Sequence, residues 1–461
     1  FVEDKDDKDP LEILDWFKSE EVKNSILILE DFHPFITNEN FEIIRAIREL
    51  CRTEPANRKT IIIQTPFMMN IKEFEKEIPI LELELPKEDT IEAILVSTVK
   101  DLDYDSQPNS EDEREIISAS KGLSIMEAEW TYRKIIAEKN RITKNEINLI
   151  IKEKEQIIKK SGVLEYFHPQ GDFNEVGGME NLKDWLGKRG KAFSNDAKEF
   201  GLVSPKGVML LGIPGCGKSL VSKTIANEWE LPLLKLDLGS VFGSLVGESE
   251  ARMREALSLA EAISPSILWI DEIEKGLSGI TNGGDGGTSA KVFGTLLTWM
   301  QEKKNEVFVI STANDISALP PELLRKGRFD EIFFVDLPSA QEREDIFKIH
   351  IEKKKREIGN FDFNELRNKS VGFSGAEIEE AVNEALFIAY DSNKELDIKH
   401  IEEALEKTFP LSRTMESTIK DLRSWAKVRA RFASNGKSEE LPESKECIPT
   451  LPQEKSNPFI N

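Results

Sequence analysis

The stretch VMLLGIPGCGKS, residues 208–219, constrains this chain more than any other. The apolar run 208–211 reads as a strand. It leads into Gly212, four further residues, then Gly217-Lys218-Ser219, and LVSKTIANEW follows with helical spacing. Strand, glycine-rich turn and helix in that order are the required context of a P-loop. Each part has a physical task. The glycines let backbone N–H groups turn inward on phosphate oxygens. The helix N-terminus adds partial positive charge. Lys218 places a point charge near the β- and γ-phosphates, and Ser219 offers a hydroxyl to Mg²⁺. The expected ligands are ATP and Mg²⁺, and the expected contacts are Gly212, Pro214, Gly215, Cys216, Gly217, Lys218, Ser219 and Leu220. Cys216 sits where any small residue would serve and reads as filler rather than a redox switch.

The second half of such a site follows in SPSILWIDEIEK, an apolar strand ending in Asp271-Glu272. Carboxylates at the end of a buried strand are costly unless a cation or a reacting water uses them. Asp271 would hold the Mg²⁺ water shell, making Ser219 and Asp271 the metal-side pair, and Glu272 would polarise the attacking water. The alternative is an ordinary surface acidic pair. NEVFVISTAND is a further strand, and Asn314 at its end could orient the water. In LPPELLRKGRFDEIFFVDLP, Arg325 and Arg328 stand between a helix and another strand. An arginine there can reach a neighbouring subunit's phosphate. A surface salt bridge is the competing reading, more so for Arg325 than for Arg328.

This ordered series resembles the AAA+ ATPases. The resemblance covers about residues 166–410 and extends to FNEVGGMENLKDWL before the P-loop and VGFSGAEIEEAVNEA after it. It implies an α/β fold: a P-loop parallel-sheet domain (161–338) and a helical lid (339–410), in a hexameric ring that binds ATP between protomers. It further implies that Val176, Gly177 and Gly178 line the adenine side and that Gly375-Ala376 form the second sensor of the lid. Two positions depart from the family. In FGSLVGESE, Leu245 stands where polypeptide-threading members carry an aromatic residue, which offers less area to grip a chain. Glu331 stands where a second arginine is usual, so the trans finger would rest on Arg328 alone.

The amino-terminal third repeats the pattern at a near-constant offset. SILILEDFHPF from Ser25 parallels SILWIDEIEKG from Ser266, and KTIIIQTPFMMN parallels EVFVISTANDIS. SKGLSIMEAEWTYRKIIAE parallels SVGFSGAEIEEAVNEALFI. Internal similarity of this kind signals duplication. The first copy has no P-loop before Ser25, and Phe67 stands where Asn314 stands in the second. Residues 1–160 therefore read as a degenerate nucleotide-domain-plus-lid, suited to oligomer support, partner docking or regulation. Together with the terminal FPLSRTMESTIKDLRSWAKVRARFAS, this arrangement resembles the conserved ATPase family of red-algal plastid genomes and cyanobacteria. That likeness implies a role in regulating photosynthesis or carbon use. It implies the plastid stroma, or the cytoplasm of a cyanobacterium, and no transit peptide.

Composition narrows the function classes. A net charge of −23 argues against a nucleic-acid partner, which needs Lys and Arg to neutralise phosphates. No apolar run reaches the length of a membrane span. Cys51, Cys216 and Cys447 lie far apart, with neither metal-ligand nor disulfide spacing, which suits a reducing compartment. The chain opens on Phe1 rather than Met, so an upstream piece is expected. Residues 411–434 have the spacing of a basic amphipathic helix, which either binds a partner or packs on the lid with its basic face toward an acidic neighbour. Residues 435–461 are polar and proline-rich and read as a disordered tail. GLSGITNGGDGGTSA (276–290) reads as a glycine-rich connector or a pore-facing loop. The expected function is ATP hydrolysis driving the remodelling of a protein client. The rival is an ATP-switched assembly protein with little turnover.

Overall fold

In the computed structural model the described residues are 9–435, apart from 38–39, 54–57, 66–76, 82, 84, 102–108, 169–170, 194, 243–247, 278–285, 326 and 360. Phe67, Leu245, most of the glycine-rich loop and the tail after residue 435 therefore lie outside them. The chain divides into two compact units, 1–84 and 85–461.

In the first unit, two largely aliphatic runs pair in parallel: β1 (Ile26–Glu30) and β2 (Thr60–Gln64), with Ile26 opposite Thr60 and Glu30 opposite Gln64. Alternation along the strands sends Leu27, Leu29, Ile61 and Ile63 into a core with helices Pro10–Lys18 and Phe41–Thr53. Asp9 caps the first of these helices, its carboxylate accepting from the Leu11 N–H at 2.9 Å. Lys59 is buried here and satisfies its ammonium on the carbonyls of Phe17 and Ser19.

The second unit holds a seven-stranded sheet. Its strands are β3 (Leu164–Phe167), β4 (Gly207–Gly212), β5 (Leu233–Leu236), β6 (Ser266–Ile270), β7 (Val307–Ala313), β8 (Glu331–Val335) and β9 (Arg431–Phe432), in the spatial order β3-β5-β6-β7-β4-β8-β9. Every pairing is parallel except β3 with β5. The central strands are buried on both faces, which is why they read as continuous apolar runs rather than alternating ones. Met209, Leu211, Leu268 and Val309 pack toward helices Glu248–Ala262 and Gly286–Glu302. Val208, Leu210, Trp269 and Ile310 pack toward helices Glu180–Gly190 and Lys218–Glu228.

Helices Ala340–Lys353, Phe363–Lys369, Gly375–Asp391 and Ile398–Lys407 form the lid around Phe347, Ile378, Val382 and Ile401. Helices Glu88–Asp101, Ser110–Ser120, Ile125–Lys139 and Ile147–Ser161 form a second four-helix cluster around Leu95, Tyr132 and Ile150. The two clusters share local devices. Ser124 and Glu127 make a capping box, as do Ser374 and Glu377. Gly122 and Gly372 precede those caps with φ of +88° and +82°. The 88–161 cluster is packed into the seven-stranded sheet domain: Ile158 and the following Val163 belong to its core, and a side chain at Gly122 would run into Ile263.

The helical spacing of 411–434 overshoots. The long helix is Glu416–Arg429, after which the chain extends and adds β9 to the sheet edge beside β8. Ile419, Leu422 and Ala426 bury its apolar face against sheet residues such as Phe334, rather than on the lid. Among the described residues, no helix is long and apolar enough to cross a membrane.

Truncating Ile158, which joins the 88–161 helices to the sheet core, should cost about 2–5 kcal/mol. The Ile158→Ala variant should show one cooperative urea transition at lower midpoint. Two separated transitions would show that these helices unfold independently of the sheet.

Candidate functional site

Parallel pairing in the order β6-β7-β4 puts three carboxyl ends side by side, the usual place for a ligand in such a sheet. From β4 runs the P-loop, from β6 run Asp271 and Glu272, and from β7 runs Asn314. The glycines answer distinct needs. A side chain at Gly212 would overlap the Val335 carbonyl of β8, so the two strands approach this closely only with glycine there. Gly215 and Gly217 lie at φ +74° and +86°, the left-handed region in which consecutive amides can face one cavity. Cys216 is buried, and burial pushes its thiol up to about 12, which makes it inert as a nucleophile.

Lys218 is 6% exposed and opens the helix after the loop. Its ammonium donates to the carbonyls of Gly212 (2.9 Å) and Ile213 (2.8 Å). Burial holds it down to about 8 from an ordinary value of 10.5. Next to it the Ser219 hydroxyl donates to Asp271 Oδ1 at 2.9 Å. A hydroxyl beside a carboxylate oxygen is a donor set for a hard divalent cation, so these residues fit Mg²⁺.

Thr312 of β7 ties the acidic strand to its neighbour. Its hydroxyl donates to Asp271 Oδ1 at 2.6 Å and accepts from the Glu272 N–H at 2.8 Å. Glu272 sits at φ +48°, a strained position for a non-glycine residue. Its Oε1 accepts from Asn314 Nδ2 at 3.2 Å, and its Oε2 is ion-paired with Lys275. Glu274 accepts from the Asn314 backbone N–H at 3.0 Å, and burial raises its carboxyl. Asp31, at the matching place after β1, also lies at φ +48°.

The lid closes the other side. The Ala376 N–H donates to the Gly215 carbonyl at 2.9 Å, and a side chain at Gly375 would meet the same oxygen. Val176 is buried, and side chains at Gly177 and Gly178 would collide with Ile346 and Glu342 of the first lid helix. Met179 donates its N–H to Glu342 Oε1 at 3.3 Å. Leu220, on the first turn of the P-loop helix, is 38% exposed.

Arg328 is not brought to this constellation. Glu331 pairs with Val208 and Val335 with Gly212, so the residues before β8 lie at the sheet edge opposite the P-loop. The Arg328 guanidinium donates instead to the Glu322 carbonyl, and Arg325 is exposed on the same segment. Thr312, Glu274 and Glu342 escape the motif reading. The strand did carry a signal, since hydroxyls at Ser311 and Thr312 are costly in an apolar run, but the sequence does not say which of the two finds a partner. Glu342 looks from sequence like an ordinary capping-box residue, and only the fold brings Met179 to it.

A largely parallel sheet on which the P-loop, the acidic strand end and Asn314 converge, with a four-helix lid bonded to the loop, is the architecture of a P-loop nucleotide-binding domain. Residues 208–337 match the ATPase family associated with various cellular activities (AAA). Residues 2–83 and 89–161 match the N-terminal and second domains of SpoVK-like AAA ATPases. The chain is 42% identical over 430 residues to the AAA domain-containing protein ycf46 of Guillardia theta, covering 93% of this chain and 84% of that protein. It is 44% identical over 418 residues to ycf46 of Pyropia yezoensis, covering 89% and 83%. The ATP-dependent zinc metalloprotease FtsH of Karelsulcia muelleri is 35% identical over 242 residues, 51% of this chain and 39% of that protein. The chain belongs to the AAA ATPase family, within its group of ycf46 AAA domain-containing proteins. ATP binding follows from that membership.

Two outcomes are expected at this site. Thr312→Val should lower kcat about tenfold, because it strands the Glu272 N–H and removes a bond to Asp271, while Thr312→Ser should restore most of the rate. Equal rates for Val and Ser would mean the hydroxyl does no positioning. Phosphate favours the protonated form of Lys218, whose value without ligand is about 8. ATP affinity should therefore be flat below pH 8 and weaken as pH rises beyond it. Titrating Kd from pH 7 to 9.5 tests this, with Lys218→Arg expected to flatten the dependence.

Proposed function

We propose that this chain hydrolyses ATP and uses the turnover to remodel a protein partner. The observation that carries the reading is the meeting of Lys218, Ser219, Asp271, Glu272 and Asn314 at one sheet edge. In this reading the loop amides from Gly212 to Gly217 bind the phosphates and Lys218 neutralises their charge. Ser219 and Asp271 would hold Mg²⁺, which when bound draws negative charge off the phosphate oxygens. Glu272 accepts a proton from the attacking water, and Asn314 fixes the carboxylate that does so. Val176, Gly177, Gly375 and Ala376 shape the space around the nucleotide.

The reading includes a ring in which Arg328 completes a neighbour's site. What supports it is the place of Arg328 at the far sheet edge, where its own γ-phosphate is out of reach. Phe387, Tyr390 and Phe409 of the lid, and Phe200 and Val203 of the sheet domain, are exposed apolar side chains of the kind subunit contacts cover. Residues 1–160 we take as a degenerate copy serving assembly or regulation, supported by the shared caps and the shared φ at Asp31 and Glu272. With its ycf46 relatives in view, we place the protein in the plastid stroma, in regulation of photosynthesis or carbon use. A second reading, an ATP-dependent assembly switch with little turnover, is favoured by one feature: both Glu272 oxygens are already engaged, by Asn314 and Lys275.

Lys218→Ala should abolish ATP binding, and Glu272→Gln should bind ATP with turnover reduced at least about 100-fold. Parent-like hydrolysis by Glu272→Gln would remove Glu272 as the base. Mixing Lys218→Ala with Arg328→Ala chains should restore part of the activity that neither has alone, since some interfaces then combine an intact P-loop with an intact finger. No restoration would remove the shared site. A per-chain rate that rises with protein concentration supports the remodeller, and negligible turnover at all concentrations supports the switch.

A further inference from the structure

A lid joined to its sheet only through a hinge is free to swing. Here the hinge is 336–339, between β8 and helix Ala340–Lys353. The segment 411–434 fastens the same lid a second time, at both of its own ends. At its start the Leu411 N–H donates to Glu377 Oε1 at 2.7 Å. The other Glu377 oxygen accepts from the N–H (2.7 Å) and hydroxyl (2.8 Å) of Ser374. Ser374 caps the helix whose Ala376 N–H reaches the Gly215 carbonyl of the P-loop at 2.9 Å. At its far end the Ser434 hydroxyl donates to Glu342 Oε1 at 2.5 Å, the oxygen that also accepts from the Met179 N–H. Each attachment therefore leads, within one or two further hydrogen bonds, to the nucleotide loop or the adenine-side segment.

Between these ends the segment is anchored on the sheet domain. Ile419, Leu422 and Ala426 are buried, and β9 pairs with β8. The Ala433 carbonyl accepts from the Leu182 N–H at 3.1 Å, in the first turn of helix Glu180–Gly190. The strongest contact is at the hinge itself. Arg423 meets Asp336 through Nε at 3.0 Å to both carboxylate oxygens and through Nη2 at 2.9 Å, with the two side chains 14% and 10% exposed. Exposed pairs contribute little, but a planar guanidinium held this way, away from water, is strong and directional. Arg343 braces the hinge two residues further on from the lid side, donating to the Pro338 carbonyl at 2.9 Å. Swinging the lid off the P-loop must break the Leu411 and Ser434 bonds or drag the anchored helix with it.

We propose that residues 411–434 are a strap that holds the lid closed over the P-loop, with Arg423 and Ser434 as positioning residues that set the rate of nucleotide release. This rests on the ATPase reading above. It assigns the basic helix an internal role: Arg423 is committed to the hinge carboxylate. The strap differs from a simple structural brace in one respect. Loosening a brace lowers stability and activity together, whereas loosening a strap speeds release and leaves the chemical step alone.

The test uses the full chain with a fluorescent ADP analogue, following dissociation by stopped flow, alongside single-turnover ATP hydrolysis and thermal unfolding. Arg423→Met alone leaves Asp336 buried without its cation and could unfold the protein. The decisive variants are therefore Arg423→Met with Asp336→Asn, which removes both charges at similar volume and keeps an acceptor for the Leu337 N–H, and Ser434→Ala, which removes one bond. The double variant should keep its Tm and release ADP about tenfold faster, with single-turnover hydrolysis within about twofold of the parent. Arg423→Lys should fall between, since an ammonium cannot reproduce the two-pronged contact. A folded double variant that releases ADP at the parent rate overturns the strap. So does one in which release, hydrolysis and Tm all fall together. A parent that binds no nucleotide overturns both the strap and the ATPase reading. A parent that binds, with variants unchanged, overturns the strap alone.

Discussion

The parallel register of β6, β7 and β4 is the constraint on which the rest of this molecule depends. The P-loop, the acidic pair and Asn314 lie far apart in sequence, and each follows a different strand. Pairing Ile270 with Ser311 and Leu211 with Ala313 brings their following residues to one edge. Thr312 then locks the register chemically, because its hydroxyl serves Asp271 and the Glu272 N–H together. A slip of one residue would turn Thr312 to the opposite face and break both bonds. The close approach of β4 to β8 at Gly212 fixes the other side of the loop in the same way.

The site carries costs that the surrounding core sustains. A lysine ammonium is buried, a glutamate backbone is held left-handed, and a second carboxyl, Glu274, is raised by desolvation. Each is a cost that arises on folding. The buried ammonium of Lys218 is the clearest case. Its folded value lies below its unfolded one, so it opposes folding below pH 8 and relaxes as pH rises toward 10.5.

Much of this was legible in the sequence, and the reasons are local. Strand–glycine–helix order announces a P-loop because the backbone conformations it needs are available mainly to glycine. Asp271 and Glu272 stand out because carboxylates at the end of an apolar strand are costly without a use. The similarity of the amino-terminal third to the second copy is a sequence pattern, and both segments cap a helix with a Ser and Glu box, at Ser124 and at Ser374. What stayed hidden was the set of contacts made between distant segments. Nothing around Arg423 names Asp336 as its partner, and nothing around Glu342 names Met179. Residues 430–433 read as the end of a helix, because the parallel edge of β8 that captures them as β9 is a tertiary feature.

The sequence by itself determined the class of fold and marked the glycine-rich turn, the acidic strand end and Asn314 as a candidate site, because spacing and residue chemistry specify those over short range. Only the tertiary structure decided which end of the sheet Arg328 occupies, which hydroxyl joins the acidic strand to its neighbour, and where the carboxyl-terminal helix lies. Those depend on strand order and on one buried ion pair. The energy of such contacts is set by burial and geometry, and neither is written in the residues that flank them.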